Sequence, residues 1–182
     1  RWYQMGVILS ATDSLNWLSN ITGCSPAKMT QALGKTLTGP SDVKFYPYLS
    51  GERTPHNDAQ IRGGFAGVGH RTSQQDMTQA VLEGVSFAIR DCRDALAKTG
   101  TKIDKLLALG GGSKSDYWLS VIATVLNTPV QVPVSGDFGG AFGAARLAIM
   151  AVNGAGTEIA TMPPIARIIE PNKDNIDDFD AA

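Results

Sequence analysis

The chain has 182 residues, 43% hydrophobic and 18% charged, with a formal net charge of −1. That is enough apolar material for one domain with a real core, so a disordered tail is excluded. Near-neutral charge without any Lys/Arg block excludes nucleic acid and an anionic membrane surface as partners, and no stretch approaches ~18 uninterrupted apolar residues.

The chain opens at Arg1 in mid-pattern, without an initiator Met, which reads as a piece of something longer. Residues 5–21 lead into a helix carried by Leu15, Trp17, Leu18 and Ile21. Pro26 is placed to open a second short helix. "VKFYPYL" reads as a short aromatic strand broken by Pro47, "SGERTPHNDAQIRGG" as a long polar loop, and "GFAGVGH" as a glycine-rich strand. The clearest helix runs from about Gln74 to Lys98. Ser73 and Asp76 form a capping-box pattern before it, and Met77, Ala80, Val81, Val85, Ala88, Ile89, Cys92 and Leu96 make its apolar stripe. Gly100 lies just past its end. A helix-interior glycine, Gly84, costs about 1 kcal/mol unless something packs against it, so it reads as a close-packing point. A strand at 103–109, the Gly110–Gly112 turn, a helix at 115–126, a strand at 129–134, the loop "SGDFGG" and an Ala/Gly-rich helix at 140–152 complete the pattern. Alternating strands and helices predict an α/β fold with helices packed on a sheet. Cys24 and Cys92 have neither metal spacing nor a disulfide framework and read as buried thiols in a reducing cytoplasm. Residues 156–182 end in the unpatterned acidic stretch "NKDNIDDFDAA".

The stretch "LALGGGSKSDYWLSV" carries the chemistry question. Ser113 with Asp116 reads as a capping box on the helix after the glycines. The unsatisfied N–H groups at that helix start suit an anion or a polar ligand, and glycines remove the Cβ atoms that would hold it off. A plain tight turn explains the glycines equally well. Walker A, the G-x-G-x-x-G fingerprint and the nucleophile elbow all fail on spacing, the last two because Ser115 stands where a glycine is required. A dinucleotide-binding domain also wants an acidic residue after the second strand, where Val130-Gln131-Val132-Pro133 stands. A hydrolytic triad from Ser50, His56 and Asp58 or Glu52 has no fixed geometry, and His56 reads as a turn residue. Trp2, Trp17 and Trp118 read as packing residues.

"GGFAGVGHRTSQQDMTQAVLE" decides between these readings. Gly63, Phe65, Gly67-Val68, Asp76-Met77, Ala80 and Glu83 match the second signature of the FGGY carbohydrate kinases, and the chain resembles that family over nearly all of residues 1–155. "YPYLSGERTPHND", "GGGSKSDYW" and "GGAFGAARLA" resemble its xylulose-kinase branch. The resemblance implies a ribonuclease-H-like domain of the actin/hexokinase/Hsp70 superfamily, with a mixed sheet flanked by helices. It implies the C-terminal, nucleotide-binding lobe (residues 1–155), a tail (156–182) that stops short, and an N-terminal lobe absent from this chain. It implies ATP as the nucleotide, with Gly110, Gly111, Gly112, Ser113 and Asp116 on the adenosine side and Thr12 and Asn16 on the opposite wall. It implies Mg²⁺ held mainly with the other lobe, and a catalytic aspartate outside this chain. Glu52 and Arg53 are candidates for the rim of a sugar cleft, although a purely structural loop stands level with that. The partners implied are ATP, a small sugar such as D-xylulose, and the N-terminal lobe. An exposed interlobe surface leaves a homodimer open. The competing reading is a non-catalytic actin-like nucleotide-binding or assembly module.

Overall fold

The computed structural model describes residues 3–136 and 139–182. Trp2 and Asp137 lie outside them. In chain order the elements are α1 (Ala11–Thr22), α2 (Pro26–Ala32), β1 (Lys44–Tyr46), β2 (Gly64–Ala66), α3 (Gln74–Ala97), β3 (Leu106–Leu107), α4 (Asp116–Val125), β4 (Val130–Pro133), α5 (Gly139–Asn153), β5 (Ile165–Ile169) and α6 (Ile176–Ala181). The strands form two sheets. β1 and β2 pair antiparallel, while β4 lies between a parallel β3 and an antiparallel β5.

α3 is the spine. Its N-terminus is closed by the predicted capping box, with the Asp76 N–H donating to Ser73 Oγ and the Ser73 N–H to Asp76 Oδ2. Its apolar stripe packs against β1, α1 and α4. Val81, Leu82 and Val85 are fully buried, each worth roughly 1.5–3 kcal/mol relative to exposure. Trp17 stacks on Phe45 at 5.8 Å and Phe45 lies 4.8 Å from Phe65, so α1 closes over the β1–β2 hairpin through aromatic rings. Trp118 is 4% exposed, and its indole N–H donates to the Leu82 carbonyl of α3. Both tryptophans are packing residues, as the pattern indicates.

Several boundaries differ from the sequence reading. The first helix begins at Ala11, after residues 7 and 9 bond to the 52–54 loop: the Thr54 N–H donates to Val7 O and the Leu9 N–H to Glu52 Oε1. The strand expected at 103–109 pairs only at Leu106–Leu107, since β4 offers it a short ladder. The unpatterned tail is ordered. β5 completes the larger sheet, and Phe179 of α6 is fully buried in the main core near Phe87. α5 follows its expected bounds but buries no residue, leaving Phe142, Leu147, Ile149 and Val152 exposed.

Glu83 sits inside this core at 1% exposure. Its carboxylate accepts from the Ser41 N–H and from Gln79 Nε2, which ties α3 to the 38–43 loop. Burial raises its pKa above the ordinary 4.5, against hydrogen bonds from Gln79 and Ser41 and the charge of Lys44. A carboxyl whose folded pKa is raised keeps its proton longer in the folded state than in the unfolded one. Stability from this group is therefore full below about pH 4.5 and falls as pH rises toward the folded pKa. Urea midpoints of Glu83→Gln, measured from pH 4 upward, are expected to lack this decline, so the gap to the parent narrows with rising pH. A gap that widens with pH would show an anion stabilised by its donors.

Candidate functional site

A cleft of about 910 Å³ opens between α1, α2 and the start of α4. Thr12 and Asn16 line one wall, Gly111, Gly112 and Asp116 the other, with Thr30, Gln31, Lys35 and Lys114 around them. Thr12 and Asn16 thus share one cavity with Gly111, Gly112 and Asp116 from positions about a hundred apart in sequence, while Gly110 and Ser113 do not line it.

The glycine turn is built differently from the sequence reading. Residues Gly111–Lys114 form a single 3-10 turn, and α4 begins three residues after Ser113. Its N-cap is Ser115, whose Oγ accepts from the Trp118 N–H. Ser113 forms no capping box with Asp116. It is buried, and its hydroxyl donates to the Gly110 carbonyl at 2.7 Å, which closes the turn. The extra 3-10 turn uses up the residues the capping pattern would need.

The three glycines have different reasons. Gly110 has φ +87°, a conformation side chains rarely adopt, and lies behind the cleft wall rather than on it. Gly111 lines the cleft, and a Cβ there would meet nothing within 4 Å. A Cβ on Gly112 would lie 3.3 Å from the Trp118 ring and 3.6 Å from Thr12 Oγ1. Gly112 therefore lets the turn approach both walls, while Gly111 is the position where a missing side chain leaves open space.

Glu52 and Arg53 do not line this cleft. Glu52 is 2% exposed, and its Oε1 accepts from the Leu9 and Arg53 N–H groups. Its Oε2 has no hydrogen-bond partner among the described residues. Glu52 anchors the approach to α1, while Arg53 points outward. His56 holds its loop by contact with the Tyr48 hydroxyl at 3.1 Å, and Asp58 accepts from the Gln60 and Ile61 N–H groups. Both behave as turn residues. Among the described residues no three His, Cys, Asp or Glu side chains converge to hold a metal.

Two contributors were invisible in the sequence. α2 supplies the floor through Ala27, Thr30 and Gln31, and no motif marked it. Arg167 of β5 donates through Nε and Nη2 to Asp116 Oδ1, at 3.1 and 2.8 Å. Only the sheet pairing brings it there.

Comparison with known proteins matches this architecture. Residues 1–152 fit the model of the FGGY family of carbohydrate kinases, C-terminal domain. The xylulose kinase of Escherichia coli (strain K12) is 38% identical over 166 residues, 91% of this chain and 34% of that protein. The crystal structure of a "xyloylose kinase" from Brucella ovis superposes with a TM-score of 0.89 at 54% identity, covering 98% of this chain and 37% of the other. That of a ligand-bound xylulose kinase from Lactobacillus acidophilus gives a TM-score of 0.79 at 26% identity over 96% and 36% of the two chains. The chain therefore spans about a third of the length of these relatives. The expected α/β fold, a mixed sheet flanked by helices, is the one these kinases share. With its signature residues around β2 and on α3 and its glycine turn at the cleft, the chain belongs to the FGGY family of carbohydrate kinases, as its C-terminal domain.

Proposed function

We propose that this chain is the ATP-binding half of a sugar kinase that phosphorylates a pentulose, D-xylulose to D-xylulose 5-phosphate. The observation that carries the reading is the cleft itself, in which Thr12 and Asn16 face Gly111, Gly112 and Asp116. Gly111 leaves room for a ligand at the backbone, and Lys35 and Lys114 give the mouth cations suited to a polyphosphate. The names of the similar proteins support xylulose as the acceptor.

In such a kinase the sugar hydroxyl attacks the γ-phosphorus, the bond to the β–γ bridging oxygen breaks, and ADP leaves while a carboxylate takes the hydroxyl proton. This chain's part is to grip the nucleotide and exclude water from one side. Mg²⁺, when bound, neutralises the developing phosphate charge, and its ligands belong with the rest of the enzyme. The proton acceptor is assigned there too, since Glu52 is buried away from the cleft and Asp58 is engaged in its turn. A second lobe is also supported by α5, whose exposed Phe142, Leu147 and Ile149 leave an apolar side open.

Gly111→Val tests the nucleotide site. The new side chain meets no protein atom at its Cβ, so folding should be intact, while its bulk enters the cleft. ADP affinity by calorimetry on the full-length kinase is expected to fall at least about tenfold, ~1.4 kcal/mol. Unchanged affinity in a folded variant would remove the glycine turn from the site.

A further inference from the structure

Arg167 lies outside the family match, which ends at residue 152, and in a stretch to which no motif assigns a role. Its placement follows from the sheet. β5 pairs antiparallel with β4, Val132 opposite Arg167. Alternation puts Arg167 and Ile169 on one face, and Ile169 packs into the cluster of Leu119, Ala123, Val130 and Val132, so that face looks at α4. Arg167 therefore reaches the first turn of α4. Nε and Nη2 both donate to Asp116 Oδ1, and Nη2 also donates to the Ser113 carbonyl at 3.1 Å. One guanidinium thus ties a cleft carboxylate and the last part of the glycine turn to the sheet.

We propose that Arg167 is a positioning residue for the nucleotide site, acting through Asp116 and the Ser113 carbonyl. Stability does not account for the arrangement. The two side chains are 41% and 69% exposed, and exposed ion pairs contribute roughly 0–1 kcal/mol. The geometry serves the cleft in two ways. Both bonds to Asp116 fall on Oδ1, so the fork holds that oxygen in place and leaves Oδ2 outside the pair. The guanidinium also neutralises an acid beside a cleft that must accept a polyanion, where an uncompensated carboxylate would repel phosphate. Lysine would keep the charge without the planar fork.

This inference rests on the nucleotide reading above, and the experiment separates the two. ADP binding to the full-length kinase is measured by calorimetry for the parent, Arg167→Ala, Arg167→Lys, Asp116→Ala and the double variant Arg167→Ala/Asp116→Ala, with steady-state constants for ATP and sugar. Arg167→Ala is expected to weaken ADP binding about fivefold to twentyfold and to raise the KM for ATP alike. The KM for the sugar should stay within about twofold, and the thermal midpoint should barely move. Arg167→Lys should recover part of the loss. In the Asp116→Ala background the effect of removing Arg167 should shrink to about threefold or less. A parent that binds no ADP would overturn the nucleotide reading and this proposal with it. A parent that binds, with Arg167→Ala within twofold of it, would overturn the positioning role alone. An undiminished effect in the Asp116→Ala background would also overturn it, because Arg167 would then not act through Asp116. Should Arg167→Ala unfold, Arg167→Gln carries the same comparison.

Discussion

Gly84→Ala is expected to destabilise the domain, and Gly84→Leu to prevent its folding at ordinary temperature. Gly84 lies in the interior of α3, where β1 crosses it. A Cβ built there would stand 2.1 Å from the Phe45 carbonyl oxygen and 3.0 Å from its carbon. Those are backbone atoms of a paired strand, so the obstacle cannot rotate away as a side chain could. Either α3 or β1 must retreat, and Val81, Leu82 and Val85, all fully buried, lose packing with it. Alanine would otherwise gain about 1 kcal/mol in a helix interior. Overpacking typically costs 1–3 kcal/mol and exceeds that gain, with leucine above the range. Denaturant midpoints with unchanged slope measure the effect. A midpoint for Gly84→Ala equal to the parent's would show that the two elements are held apart by something other than this contact.

The 182-residue chain by itself is expected to show no sugar-dependent release of ADP. Phosphoryl transfer needs metal-held phosphates and a placed base in one dry space. On the function proposed above, this cleft would present one side of such a space, so a γ-phosphate bound to it would remain in water and its interactions would be screened. Nucleotide affinity should be weak for the same reason. A coupled assay with xylulose, xylitol, ribulose and glycerol, run beside the full-length kinase, measures this. Turnover by the chain within about tenfold of the full-length enzyme would place a base among its own residues. Asp58 and Asp137 would then be the first to replace, since Glu52 is buried.

How much of this was legible in the sequence depends on the range of the interaction. Local signals were accurate: the capping box of α3, proline at the start of α2 and the apolar stripe of α3 all depend on residues three or four apart. Gly84 was legible as an anomaly, a costly residue in a long helix, although its neighbour Phe45 was not. The 113–116 capping pattern misled because Ser115 competes for the same helix end, and a 3-10 turn decides between them. Glu52 and Arg53 read as a pair in a polar loop, yet consecutive residues of an extended segment face opposite ways. One went into the core and the other into solvent. Arg167 and Phe179 carried no periodic signal, because the strand and helix that bear them are five and six residues long. Their partners lie far away in the chain.

The buried ring of Phe179 bears on where this lobe can be cut. A boundary drawn at residue 152, where the family match ends, would strip β5 from the open edge of β4 and empty the site of a fully buried phenylalanine. The second loss alone resembles a Phe→Ala core truncation, about 3–5 kcal/mol, against a total of about 5–15 kcal/mol for an ordinary domain. The unpaired edge would invite strand-to-strand aggregation. The segment recognised by family resemblance is therefore smaller than the cooperative folding unit. Fragments made for biophysical work should run through α6 to Ala181, and a protease entering the exposed stretch after α5 would release a tail whose loss destabilises the remainder.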